Sequence, residues 1–178
     1  MKTVILALCL LSAAFALSDQ EKLAAFIEGL DFGIGATSSD DSISKEGALS
    51  LFQASNSDEF NEFKALEHEL LNGLAYAQTL EVAIAHIRIV CDILHTQILD
   101  KYMAQSGMTP MLYKWNKHID SLFRVNEMHL AQQQAILYNY ELLFQFQEGN
   151  YRLAGFNLGQ FMRFVLAASE EIPQTQSA

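Results

Sequence analysis

The feature that most constrains this chain is the spacing of its apolar residues between Phe60 and Tyr102. Phe60, Phe63, Leu66, Leu70, Leu74 and Ala77 recur at intervals of three and four, and Leu80, Ala83, Ile87, Cys91, Leu94 and Ile98 continue the rhythm. That period places them on one face of a helix, whereas a strand would need alternation every second residue. Composition points the same way. Ala, Leu and Met together number 52 and Val and Ile only 17, with two prolines in 178 residues, so helix formers dominate. An all-α fold is expected, built as an antiparallel bundle of four main helices plus one short helix.

Local signals set the boundaries. Ser18-Asp19-Gln20-Glu21 has the form of a capping box, which starts a first helix from about Asp19 to Gly33. Residues 35–43, rich in Gly, Ser and Asp, read as a flexible linker. A short helix from about Ser44 to Ala54 buries Leu49, Leu51 and Phe52. Ser57-Asp58-Glu59 opens the long tract, which bends at Asn72-Gly73 and stops at Ser106-Gly107. Thr109-Pro110 begins the next helix, running to about Gln147 through Trp115, Ile119 and Leu142. Gly149-Asn150 breaks it, Tyr151 to Ala168 forms the last helix, and 173–178 is a polar, disordered tail. Residues 17–172 thus make one domain, a normal size for a single core.

One pattern repeats. Gly29-Leu30-Asp31-Phe32-Gly33 and Gly155-Phe156-Asn157-Leu158-Gly159 both read Gly, apolar, Asp or Asn, apolar, Gly. Two glycines four apart share a helix face and open a groove that admits another backbone. Interior glycine costs about 0.8–1.0 kcal/mol against alanine, so four cost roughly 3–4 kcal/mol unless close packing offsets them. Gly29, Gly33, Gly155 and Gly159 are therefore expected to be helix-packing positions, on neighbouring helices or in equivalent places.

The first 16 residues read as an export signal. Lys2 precedes an apolar run from Val4, and Ala14-Phe15-Ala16 supplies the small residues that a leader peptidase reads. Cleavage is expected after Ala16, with Ser18 as the alternative. Later apolar stretches carry internal charges, Arg88 and Asp92 in one and Arg152 and Arg163 in another, which oppose membrane insertion. Cys9 leaves with the leader, so Cys91 has no intrachain partner, and only an interchain disulfide would engage it. Loss of Lys2 takes the net charge from −10 to −11. A balance of that sign repels phosphate backbones, and no basic stripe interleaves with aromatics, so nucleic acid is not an expected partner.

No catalytic motif is legible. There is no phosphate-binding glycine loop, no Gly-x-Ser-x-Gly and no His-Glu-x-x-His. Asp92 and His95, three apart, would share a helix face as the ligands of di-iron bundles do, with Glu62, Glu69, Glu141 and the weak Glu127–His129 pair as further donors. Cys91 and His95 stand one turn apart, the reach of a thiolate–imidazole dyad. Neither is a complete site, and no cofactor or metal is expected. The late aromatics, Tyr138 to Phe164, suit a core or a cavity for an apolar ligand. The expectation is a secreted, non-enzymatic protein that acts by contact with a protein partner or by self-association. Carriage of an apolar small molecule or lipid is the alternative, and metal-assisted catalysis a remote one.

Overall fold

The computed structural model describes residues 17–35, 43–54, 61–103 and 132–170. The expected leader, most of the expected linker, the expected helix start at Ser57, the stretch around Thr109-Pro110 and Trp115, and the expected tail lie outside the described residues. Within them the fold is all-α, with no strand.

Helix α1 spans Asp19–Ile34. The Ser18 hydroxyl accepts from the Glu21 amide, and the Glu21 carboxylate accepts from the Ser18 amide at 2.8 Å. These bonds to Ser18 hold the Glu21 carboxyl below the ordinary carboxylate range. Leu23, Phe26, Ile27 and Leu30 are fully buried, and Gly35 ends the helix in the left-handed region at φ 103°, where a side chain would be strained. Helix α2 spans Lys45–Ala54 and buries Ala48 and Phe52, while Leu49 and Leu51 are only partly covered. The buried carboxylate of Asp31 ties the two helices together by accepting the Ile43 amide at 2.9 Å.

Helix α3 spans Asn61–His68 and continues through a π-helical turn, Glu69–Gly73, and a 3-10 turn, Leu74–Tyr76. Helix α4 begins at Leu80, where the Thr79 hydroxyl accepts the Val82 amide at 3.3 Å. It is α-helical to Asp92 and π-helical over Ile93–Met103. The expected unbroken tract with a bend at Asn72-Gly73 is therefore corrected. The chain leaves the helix at Ala77–Thr79 and doubles back, pairing Glu62 with Lys101 and Glu69 with His86 across an antiparallel hairpin. Apolar periodicity carries straight through this reversal because both arms bury the same kind of face, which hides the turn from a reading by period alone.

Helix α5 spans Gln132–Gln147 and α6 spans Tyr151–Glu170. Between them Glu148, Gly149 at φ 78° and Asn150 make a tight turn. The most extensive contact in the described fold is α1 against α6, followed by α5 against α6. Antiparallel alternation fails at the first of these. Glu28 meets Arg152, Phe32 meets Phe156 and Gly33 meets Gln160, so the register rises together and the two helices run in the same direction.

The core is continuous from α1 to α6. At one end four rings from four helices meet. Phe146 packs edge-on to Phe26 at 6.1 Å, stacks on Phe63 at 5.9 Å and meets Tyr151 edge-on at 5.2 Å. Such pairs add about 0.5–1.5 kcal/mol each beyond area burial. No described helix is long and apolar enough to cross a membrane.

Candidate functional site

The structure brings Gly29, Gly33, Gly155 and Gly159 together at the crossing of α1 and α6. A Cβ on Gly29 would fall inside the Arg152 carbonyl, and one on Gly155 inside the Phe26 carbonyl. At Gly159 it would lie 2.5 Å from the Leu30 oxygen and 2.7 Å from the Ile34 nitrogen. The obstacles are main-chain atoms, which cannot rotate away as a side chain can, so the two backbones touch only because the side chains are absent. Gln160 strengthens the joint by donating its amide to the Gly33 carbonyl at 2.8 Å, one of the carbonyls a helix end leaves without an intrahelical partner.

On the solvent side of this joint lies a cleft of about 110 Å³ lined by Gly29, Phe32, Arg152, Leu153 and Phe156. Phe32 is 55% exposed and Leu153 48%. The Phe32 and Phe156 rings lie 5.8 Å apart, tilted by 33°. The Arg152 guanidinium stands 5.8 Å from the Phe32 centroid, while its Nε donates to Glu28 at 2.9 Å. That ion pair is largely exposed and worth at most about 1 kcal/mol; its geometric effect is to lay the arginine along the cleft. A sequence reading counts Phe32 and Phe156 as members of the glycine motif without marking them as surface. The available signal was that Phe32 falls off the stripe of Leu23, Phe26, Ile27 and Leu30.

The other candidates resolve differently. Cys91 is 2% exposed within the core cluster, and burial pushes its thiol far above the ordinary range. A disulfide to a second chain would require α4 to open, and a thiol so disposed is a poor nucleophile. The pairing of Asp92 with His95 assumed α-helical turns. From Ile93 the turns widen, a π-helix aligns residues five apart, and His95 Nδ1 faces Asp100 Oδ2 at 3.5 Å. Glu62, buried, faces the Lys101 ammonium, Glu69 contacts His86, and Glu141 is exposed beside Gln145. Among the described residues no three His, Cys, Asp or Glu side chains converge as metal ligands; Glu127 and His129 lie outside them. Of the late aromatics, Phe146 points into the core and Phe144 to solvent, as two positions two apart must.

Comparison with protein families, with characterised proteins and with solved structures finds no match to this chain. Its function must therefore be argued from its own surface.

Proposed function

We propose that this chain is exported after removal of its leader and acts by protein contact through the face where α1 and α6 cross, without catalysis of its own. The observation that carries the reading is the cleft: two large apolar side chains, Phe32 and Leu153, held exposed beside Phe156 and the cation of Arg152. Neighbouring exposed apolar groups with a polar edge are the usual chemistry of an interaction site, and an aromatic–arginine combination is typical of the residues that dominate binding energy. The backbone beneath them is fixed by the glycine contact, so presenting this face costs little ordering on association. Export is supported by the Ala14-Phe15-Ala16 ending of the apolar leader.

The test is light scattering on the purified chain and on a Phe32→Ser, Leu153→Ser double variant. A stable oligomer that reverts to monomer in the double variant is the expected result. A strict monomer in both, with identical binding behaviour, argues against the reading.

A further inference from the structure

We infer that the α1/α6 face docks on the same face of a second copy of this chain, in a closed two-fold pair with α1 of each copy lying over α6 of the other. This rests on the reading above that this face makes the protein's contact, and it names the partner and the register.

The order of groups on the face sets the register. Because α1 and α6 run in the same direction, residues stand level across the joint: Glu28 with Arg152, then Phe32 with Phe156, then Gly33 with Gln160. Arg163 follows at the end of α1, where a Cβ on Gly35 would lie 3.6 Å from its Nη1. Acid and one ring therefore belong to α1, base and the other ring to α6. A two-fold axis running between the helices and parallel to them keeps each residue at its own level and exchanges the two sides. It sets Glu28 against the partner's Arg152 and Phe32 against the partner's Phe156. Each contact then occurs twice, as a self-complementary interface requires.

The chemistry of the face selects this occupant. A surface of a single sign would match one of Glu28 and Arg152 and repel the other. A surface with acid and base in exchanged order satisfies both, and the chain's own face, turned over, is such a surface. A net charge of −10 sets two copies against each other in general, whereas Glu28 and Arg152 cancel locally. Both can take a further bond: among the described residues Arg152 donates to Glu28 through Nε alone, and its side chain is 56% exposed. Phe32 and Leu153, exposed in one copy, would be covered at the centre of the pair, the arrangement of apolar middle and polar rim that interfaces share.

The test is reciprocal charge reversal in the purified chain, read by light scattering, with circular dichroism to show that each variant is helical. The wild type should be a dimer. Glu28→Arg and Arg152→Glu each put like charges at both crossings, so each alone should dimerise about tenfold more weakly or worse. Their equimolar mixture should recover the lost affinity as a heterodimer, because every crossing again joins an acid to a base. Glu28→Arg mixed with wild type should bind more weakly than wild type with itself; tighter binding places α1 on α1 and overturns the register. A second measurement needs no variant: the wild-type dimer should weaken as salt is raised, and a dimer indifferent to salt overturns the inference. A mixture no tighter than the single variants overturns it too, while loss of the oligomer in the Phe32→Ser, Leu153→Ser variant would leave the contact face standing. A wild-type monomer at every concentration overturns the second copy as partner; an oligomer that survives that double variant overturns the face as well.

Discussion

The α1/α6 joint and the α3/α4 hairpin are both contacts between two helices, yet they are held by opposite means. The first is made of missing atoms. Four glycines let main chain rest on main chain, and nothing in the contact can rotate aside. The second buries apolar side chains such as Phe63, Leu66, Ile87 and Leu94 in the common core and adds long polar ones, Glu62 to Lys101 and Glu69 to His86, laid across a pair of helices with widened π turns. A joint of backbone resists any added volume and is indifferent to charge. A joint of ion pairs accommodates added volume by swinging its side chains and suffers when a charge is deleted. The difference is one of stiffness as well as chemistry.

The contrast is sharpest when the same substitution is made in both places. Gly29→Ala drives a methyl into the Arg152 carbonyl and forces the helices apart. A net loss of about 2–3 kcal/mol is expected, overpacking outweighing the gain in helix propensity, and thermal unfolding should show a midpoint about 5–10 °C lower. An unchanged midpoint would break the claim that this joint is backbone on backbone. Next in size is Lys101→Met, which deprives the buried Glu62 carboxylate of its ammonium. Because Lys101 is about half-exposed, the loss is well below that of a fully buried pair, about 1–2 kcal/mol; urea unfolding checks it, and Glu62→Gln should cost less. The smallest effect belongs to Gly73→Ala. There the new methyl would meet His86 Nδ1 at 2.5 Å and Glu69 Oε1 at 2.6 Å, both ends of side chains that can move. A change within about 1 kcal/mol of zero is expected, since the propensity gain offsets the displacement. If Gly73→Ala proved as damaging as Gly29→Ala, the two joints would not differ as described.

Much of the fold can be read from the residues. The capping box at Ser18, the stop at Gly35 and the break at Gly149-Asn150 are local chemistry, and local chemistry is what a sequence displays. The reversal at Ala77–Thr79 is not displayed in the same way, because Ala77 and Leu80 stay in phase with the apolar stripe on either side. Nor is it displayed that α6 runs in the same direction as α1, which only the pairing of Glu28 with Arg152 and of Gly33 with Gln160 reveals. The π turns after Ile93 escape notice too: a stripe of Leu94, Ile98 and Tyr102 fits windings of either width, and the facing of His95 depends on which is used. As for the site, the glycine spacing is visible as spacing, but which main-chain atom each glycine admits depends on the partner's register. That Phe32 falls off the buried stripe of α1 is legible, but its place beside Arg152 follows from that register alone.

The pairing of Glu28 with Arg152 and of Gly33 with Gln160 spans 124 and 127 positions along the chain. Contacts so remote in sequence are closed late and slowly, since the entropy of a large loop is lost before any stabilisation is returned. The helix that begins at Asp19 is among the first made during synthesis and stays without its main support until residue 160 has emerged. Any product halted before Tyr151 would lack the helix that makes the most extensive contact with α1, leaving part of its apolar face bare and the species prone to aggregate. The molecule in effect buckles like a belt, and its broadest joint closes only when the far end has come round.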